Sequence, residues 1–331
     1  MAIRFISSVT PGVGDAFHML GGALLGNQAS AGLPGGALQH VCAPLLGVVQ
    51  DALSEAWVTD SMPQAGHADG VNWRRSGDVL YGVIELDERG TTAEPSLPTL
   101  QALSEQAYAS VFRLLDAQGL PHLWRVWNYM ADIHGQAGGL ERYRQFNLGR
   151  GDAFLKNARA VVGRVPAACA IGVGSGPLSI AFLAGATPAL SIENPRQVSA
   201  YDYPVEYGPR SPTFSRAALV YPPGQEFLFI SGTASIVGHR SMHGGDVAAQ
   251  CRETMDNIAA VVTEANRRGR NGPFALGDLS YRVYVRHAAD HPLVQDSLAA
   301  RVGAVPVVYV QADICRGELL VEVEAMGLRR I

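Results

Sequence analysis

The spacing of the apolar positions changes several times along the chain from residue 78 onward. Short runs rich in β-branched and aromatic residues predict strands, whereas apolar residues spaced by three and four positions predict helices. The strands are predicted at 78–88, 122–133, 166–176 and 178–185, and the helices at 97–119 and 140–159. Gly119 stands where the first helix would end, which suits a left-handed C-terminal cap.

The C-terminal part of the chain repeats this order of elements. Strands are predicted at 226–238, 279–290, 306–315 and 318–327, and helices at 246–269 and 291–303. Asp246 is the predicted N-cap of the longer helix. Two strands in corresponding places also share a pattern, WRVW (124–127) and YRVY (281–284). The repeated order strand, helix, strand, helix, strand, strand predicts a duplicated unit. Residues 1–75 show no clear period and receive no role.

Composition restricts the class of protein. Of the 331 residues, 47% are hydrophobic and 17% charged, which permits a large core and disfavours disorder. The formal net charge of −4 provides no basic field, so neither nucleic acid nor an anionic membrane is an expected partner. No apolar run reaches about 18 residues, the N-terminus is too polar for a secretory signal, and the four cysteines lack zinc-site spacing. A cytoplasmic protein without a metal site is expected.

The stretch LLVEVEA (319–325) raises a question of chemistry because it places two carboxyl groups in an apolar strand. Side chains alternate faces along a strand, so Glu322 and Glu324 point the same way. The simpler interpretation is the solvated face of an edge strand. The alternative is a working acid, which keeps its proton near neutral pH when it is buried between apolar neighbours such as Val321 and Val323. For Glu324, both a supporting role beside Glu322 and exposure to water remain open.

The C-terminal unit resembles the RidA/YjgF family over residues 213–328. The motifs that carry the resemblance are FISGTASIVG (229–238), DVAAQCRETMDNIAAVV (246–262) and LLVEVEAMG (319–327). The usual cleft arginine of that family has no counterpart in the strand AVPVVYV (304–310), which argues against a standard imine deaminase.

The whole chain is more similar to the chorismatases, which place a RidA-like domain behind a related N-terminal half. The resemblance rests on LWRVWNYMADIHG (123–135), LERYRQFNLGRGDAF (140–154), YGPRSPTFSRA (207–217), FISGTASIVGH (229–239) and ADICRGELLVEVEA (312–325). It implies an α+β fold of two RidA/YjgF-like (chorismate-mutase-like) units, each a mixed sheet with helices on one face. The expected division is an N-terminal half at 1–192, a linker at 193–212 and a C-terminal domain at 213–331.

The resemblance also implies an activity: cleavage of the enol ether of chorismate with release of pyruvate and without a cofactor. It gives Glu322 the role of the acid that protonates the enolpyruvyl group. Two carboxylates on the substrate call for arginine clamps, because guanidinium matches a carboxylate in geometry. The predicted substrate-binding residues are Arg144, Arg150, Arg216, Tyr143, Tyr207, Ser215 and Ala234.

The aromatic product depends on Cys315 in this hypothesis. Among chorismatases a Cys at this position is typical of the hydroxybenzoate-forming type, because it would exclude water from the reacting carbon. Ala234 departs from that type, in which Gly is expected. The main expectation is therefore 3-hydroxybenzoate, with 4-hydroxybenzoate as a further product left open. Hydrolysis to 3,4-dihydroxycyclohexa-1,5-dienoate, a RidA-type imine or enamine hydrolase, and a non-catalytic binding protein are the alternatives. Both a monomer and a trimer remain compatible with the sequence.

Overall fold

A computed structural model of the chain describes residues 2–8, 18–27, 37–88 and 99–331. Within these ranges the helices are α1 to α4, at Thr99–Gln118, Arg142–Lys156, Val247–Arg268 and His291–Val302. Short 3-10 helices lie at Ala200–Asp202, Val205–Tyr207, Leu276–Asp278 and Ala288–Asp290. Two small two-stranded ribbons pair Gln136–Ala137 with Leu140–Glu141 and Ile236–Val237 with Arg240–Ser241.

The first repeated unit is built on a six-stranded sheet, here called the N-terminal sheet. Its strands lie in the order Ala167–Val173, His122–Ala131, Leu178–Gly185, Val79–Leu86, Val71–Ser76 and Gln64–Ala68. The first two strands are parallel and every other pair is antiparallel. Helices α1 and α2 bury their apolar faces on one side of this sheet, where Phe112, Phe146 and Phe182 belong to one core cluster.

The second unit is built on a seven-stranded sheet, here called the C-terminal sheet. Its strands lie in the order Leu45–Leu46, Val307–Gln311, Ser280–Val285, Val321–Arg330, Gln225–Ala234, Ala217–Val220 and Leu190–Ile192. Apart from Leu45–Leu46, these strands follow the order of the N-terminal sheet, again with one parallel pair at the start. Helices α3 and α4 cover one face. The α+β class and the duplicated order are therefore confirmed.

A third sheet comes from the first part of the chain, where the sequence showed no period. Its strands lie in the order Ile3–Ser8, Ala52–Thr59, His18–Gly26 and Leu38–Val41. The inner face of this sheet meets the helix-free faces of the other two, and all three bury a common core that includes Trp57, Trp127 and Phe229. Residues 2–8, 18–27 and 37–59 therefore close one side of the molecule.

Several boundaries differ from those predicted. The predicted strand 279–290 ends at Val285, because residues 288–290 turn into α4 as a 3-10 helix. The final strand begins at Val321 instead of 318 and runs on to Arg330. Strand Leu190–Ile192 pairs in the C-terminal sheet, although the expected division placed it in the N-terminal half. The first two residues of the predicted helix 97–119 lie outside the described residues. Gly119 does follow α1 with a φ of 65°, as its capping role requires.

Among the described residues, no helix is long and apolar enough to cross a membrane. In the same part of the chain, no group of three or more His, Cys, Asp or Glu side chains is placed to hold a metal ion.

Asp246 caps α3 as predicted, since its carboxylate accepts a hydrogen bond from the Ala249 backbone N–H at 2.9 Å. We expect Asp246→Ala to lower the free energy of unfolding by about 1 kcal/mol, because one N-terminal N–H of the helix loses its partner. Urea unfolding followed by circular dichroism measures the change. Asp246→Ser keeps a capping oxygen and should stay near the wild-type value. Equal losses in both variants would show that the cap is not the cause.

Candidate functional site

A cleft of about 250 Å³ opens between the two repeated units and the segment that joins them. The N-terminal unit contributes the start of α2, the joining segment contributes residues 203–214, and the C-terminal sheet forms the floor. The lining residues are Glu141, Tyr143, Arg144, Tyr203, Glu206, Tyr207, Pro212, Phe214, Arg216, Gly232, Ala234, Ile236, Cys315, Arg316, Gly317, Glu318 and Glu322. Seven of the nine residues predicted for the site line this cleft.

Glu322 lies on the floor of the cleft in an interior strand of the C-terminal sheet. Strand Val321–Arg330 is flanked on both sides, so that Glu322 faces Ala234 on one neighbour and Tyr284 on the other. Its side chain is buried, and the whole residue is only 4% exposed. The simpler interpretation of a solvated face on an edge strand is therefore wrong for this position.

The surroundings of Glu322 favour the protonated form of its carboxyl group. Burial is the largest cause, followed by the negative charge of Glu324, and together they raise the pKa of Glu322 to about 8. Arg125 and Arg216 act in the opposite direction but do not offset the rise. A carboxyl group with this pKa is mostly protonated at neutral pH and can therefore donate a proton.

The sequence stretch SGTAS (231–235) fits around this carboxyl group. Gly232 lies in the strand beside Glu322, and a Cβ at this position would overlap the Glu322 Oε1 atom. Ala234 lies directly opposite Glu322 in the register and is buried. The small side chains therefore leave the space that the buried acid occupies.

Glu324 does not face water. It is buried on the same side of the strand as Glu322 and forms an ion pair with Arg125 of the N-terminal sheet. Its Oε1 atom lies 3.0 Å from Nη1 of Arg282 and accepts a hydrogen bond from the Tyr284 hydroxyl at 3.1 Å. The alternative of an exposed Glu324 is thereby excluded.

Two of the predicted arginines line the cleft. Arg216 is buried, and its Nη2 donates to the Val198 carbonyl at 2.7 Å and to the Tyr203 hydroxyl at 2.8 Å. Its Nε–H is buried without a hydrogen-bond partner among the described residues. Arg144 is more exposed, and its guanidinium contacts Glu141 at 3.3 Å and the Glu206 carbonyl at 3.2 Å. Both guanidinium groups are placed to meet an anionic ligand in the cleft.

Arg150 and Ser215 do not line the cleft, in contrast to the expectation. Arg150 is buried within α2, where its Nη2 donates to Asn147 at 2.7 Å and its guanidinium lies over the Phe146 ring. The Ser215 hydroxyl is directed at the main-chain carbonyls of Val165 and Ala217. Both belong to motifs that also contain lining residues, so membership of a motif did not separate wall residues from those behind the wall.

The remaining predicted residues border the acid. Burial raises the pKa of the Tyr143 hydroxyl, and Glu322 adds to the rise. The Tyr207 hydroxyl lies 3.2 Å from Nδ1 of His239. Cys315 packs beside Ala234 and Ile236, and burial raises the pKa of its thiol to about 12. A thiol with this pKa is neutral near pH 7, so Cys315 presents an uncharged and weakly polar surface to the cleft.

Sequence reasoning missed Arg316. Its guanidinium lies 4.0 Å from the centre of the Tyr207 ring and 5.2 Å from that of Tyr203, whose ring also contacts Arg216. Its Nη1 donates to the His239 carbonyl at 2.9 Å, while its Nη2 is buried without a partner among the described residues. The signal that could have found it was its place next to Cys315 within the motif ADICRGELLVEVEA.

The fold and the cleft define a duplicated α+β protein with a protonated acid facing arginines, and comparisons with known proteins agree. A family model described as "Chorismatase FkbO/Hyg5-like, N-terminal" matches residues 55–184. A chorismatase from Streptomyces rapamycinicus is 40% identical over 285 residues, which cover 83% of this chain and 82% of that protein. A 3-hydroxybenzoate synthase from Streptomyces hygroscopicus is 34% identical over 290 residues, covering 83% of this chain and 82% of that protein.

A solved structure supports the same assignment over the full chain. A chorismatase crystal structure is 34% identical, covers 98% of both chains and gives a TM-score of 0.87. This chain therefore belongs to the chorismatase family. The family resemblance inferred from the sequence is confirmed.

The raised pKa of Glu322 predicts a stability that depends on pH. Above the ordinary pKa of 4.5 the unfolded chain loses the proton that the folded chain keeps up to about pH 8, so rising pH favours unfolding across this range. Glu322→Gln removes this penalty. We expect the variant to be more stable than wild type at pH 8 by about 4 kcal/mol, and the difference to become small near pH 4.5. Calorimetric melting at both pH values measures it.

Glu318 provides a control of opposite sign in the same cleft. A hydrogen bond from Ser241 and the charge of Arg316 lower the pKa of Glu318 despite its partial burial. This carboxylate therefore stabilises the fold above its ordinary pKa, and the contribution is lost as pH falls. Glu318→Gln should be less stable than wild type at pH 8. A Glu322→Gln protein that is also destabilised at pH 8 would contradict a protonated Glu322.

Proposed function

We propose that the protein is a chorismatase that converts chorismate into pyruvate and 3-hydroxybenzoate. The observation that carries the proposal is the buried Glu322, whose pKa is raised to about 8, on the floor of a cleft that also holds Arg216 and Arg144. Membership of the chorismatase family supports the substrate, and the 3-hydroxybenzoate synthase among the relatives supports the product.

In the proposed reaction Glu322 donates its proton to the methylene carbon of the enolpyruvyl group. Positive charge then develops at the ether carbon, and the resulting oxocarbenium ion is the high-energy intermediate of the reaction. A neutral carboxyl group suits this step, because a donor whose pKa lies near the working pH combines adequate acidity with a large protonated fraction. The two carboxylates of the bound substrate are negatively charged, and this charge also opposes ionisation of Glu322 before the proton is transferred.

The two substrate carboxylates are assigned to the arginines of the cleft. Arg216 offers its unpartnered Nε–H from a buried and rigid position, and Arg144 reaches the cleft from the start of α2. Guanidinium groups suit this task because they stay charged and match a carboxylate in geometry. Tyr143 and Tyr207 are the proposed hydrogen-bond donors beside them. Arg150 and Ser215 support the walls from behind through their contacts with Asn147, Val165 and Ala217.

The product follows from what attacks after the proton transfer. In the proposed route the oxygen of the neighbouring ring hydroxyl attacks the ring carbon of the ether, the bond from that carbon to the ether oxygen breaks, and the ether oxygen becomes the pyruvate carbonyl. The protonated epoxide formed in this way opens at the carbon that first carried the hydroxyl group. Aromatisation of the ring returns one proton, so the net reaction consumes no water, proton or electron. Hydrolysis would instead add one water and give 3,4-dihydroxycyclohexa-1,5-dienoate. Cys315 and Ala234 present an apolar surface beside Glu322, which favours the route without water.

The purified protein should release pyruvate from chorismate, measured through the oxidation of NADH by lactate dehydrogenase. Glu322→Gln should lower kcat by at least about 100-fold, because the general acid is lost while the shape of the cleft is kept. The wild-type kcat/KM should fall above about pH 8 as Glu322 loses its proton. Glu264→Gln, on the exposed side of α3, is the matched control and should turn over normally. Folded wild-type protein that yields no pyruvate would refute the proposal.

Cys315→Gln should shift the product from 3-hydroxybenzoate toward the dihydroxy diene. The amide would bring hydrogen-bonding groups into the apolar wall and thereby hold a water near the oxocarbenium carbon. Liquid chromatography of the aromatic fraction measures the ratio, and it also detects any 4-hydroxybenzoate. Cys42→Gln, a cysteine that does not line the cleft, is the control. An unchanged product ratio in Cys315→Gln would remove the product-selecting role from Cys315.

A further inference from the structure

Glu324 is held by one arginine from each repeated unit. Arg125, in strand His122–Ala131, binds the Oε2 atom, and Arg282, in strand Ser280–Val285, lies 3.0 Å from the Oε1 atom. The two arginines occupy equivalent positions, because each lies in the strand that pairs in parallel with Ala167–Val173 or Val307–Gln311, within the repeated patterns WRVW and YRVY. Both guanidinium groups are buried. Arginine stays charged in proteins, so the Glu324 carboxyl group lies between two cations.

The buried charges around Glu324 are balanced without Glu322. Arg282 also forms an ion pair with Glu55 of the third sheet, so the cluster contains two cations and two anions. Within the described residues, Glu322 forms no ion pair and no hydrogen bond. If Glu322 were ionised, it would therefore be an unpaired anion in a buried volume. It lies two positions along the strand from Glu324, on the same face.

We propose that Glu324, clamped by Arg125 and Arg282, is a positioning residue that keeps the neighbouring Glu322 carboxyl group protonated. The inference rests on the proposed role of Glu322 as the proton donor. Like charges a few ångströms apart in a buried site oppose each other's ionisation, and here the arginine clamp decides which carboxyl group carries the charge. Arg125 then has two opposing effects, since it fixes the charge on Glu324 and also attracts charge to Glu322.

Besides Glu324 and Arg125, Arg216 is a charged group that acts on Glu322, and the neighbouring thiols and phenols are neutral. Burial keeps the thiols and phenols neutral, since each has a pKa raised above its ordinary value. These groups are Cys169, Cys315, Tyr129, Tyr143 and Tyr284. Arg216 faces Glu322 from the cleft side and attracts charge to it. On the side of Glu322 away from the cleft, the electrostatic effect on its carboxyl group is therefore set by Glu324 and its two arginines.

Two substitutions with opposite expected effects test the inference. Infrared difference spectroscopy across pH, with Glu322→Gln as the reference that lacks the signal, measures the titration of the Glu322 carboxyl group without any turnover. Glu324→Gln should move the midpoint down from about 8 by at least one pH unit, because a repelling charge is lost and Arg125 is left unpaired. Arg125→Gln should move it up, because Arg282 still pairs with Glu324 while the attraction of Arg125 for a charge on Glu322 is lost. The alkaline limb of the kcat/KM profile should follow both shifts, about tenfold per unit.

A double variant separates charge from packing. Glu324→Gln with Arg125→Gln removes one anion and one cation, so the midpoint should return close to that of wild type. This variant and Arg125→Gln also serve if Glu324→Gln alone does not fold. Midpoints that stay fixed, or that move in the same direction in both single variants, would overturn the inference even if the protein cleaves chorismate. A wild-type protein that releases no pyruvate would overturn the proposed function and leave this titration as a separate result.

Discussion

Four buried charges meet at the point where the three sheets come together. Glu55 belongs to the third sheet, Arg125 to the N-terminal sheet, and Arg282 and Glu324 to the C-terminal sheet. A buried ion pair adds little net stability over an apolar contact, but removal of one partner is costly because an unpaired charge remains. This cluster therefore permits one orientation of the sheets, in which every charge finds its partner. The cleft depends on that orientation, since its walls come from both units.

The two units share a topology but not their chemistry. In the register of the C-terminal sheet, Glu324 lies opposite Arg282 and Glu322 lies opposite Tyr284. In the N-terminal sheet the corresponding neighbours are Leu183 opposite Arg125 and Ala181 opposite Trp127. Only one unit therefore supplies the acid and its charged neighbour, while the other supplies an arginine and the wall at the start of α2. The cleft described above is thus lined by residues from both halves of the duplication.

The sequence predicted the elements of the repeated units well, because their periods are regular and their ends carry recognisable caps such as Asp246 and Gly119. It did not predict the third sheet. Strands such as His18–Gly26 are rich in glycine and leucine and are buried on nearly every residue, so they show no alternation to detect. The alternation of strand 321–330 did place Glu322 and Glu324 on one face. Only the fold brings Arg125, far away in sequence, to Glu324, and this contact decides between buried and solvated carboxyl groups.

Charge also links binding to chemistry in the proposed complex. Arg216 lowers the pKa of Glu322 in the free protein, against the larger effects of burial and of Glu324. A substrate carboxylate bound to the Nε–H of Arg216 would offset this cation and displace water from the cleft, and both changes favour the protonated acid. The acid would then hold its proton most firmly when the enolpyruvyl group is in place, and would give it up only to the methylene carbon, while positive charge develops on the adjacent ether carbon. Glu322 thus lies between two groups of charges. Arg216 faces it from the side of the substrate, and Glu324 with its two arginines faces it from the other side.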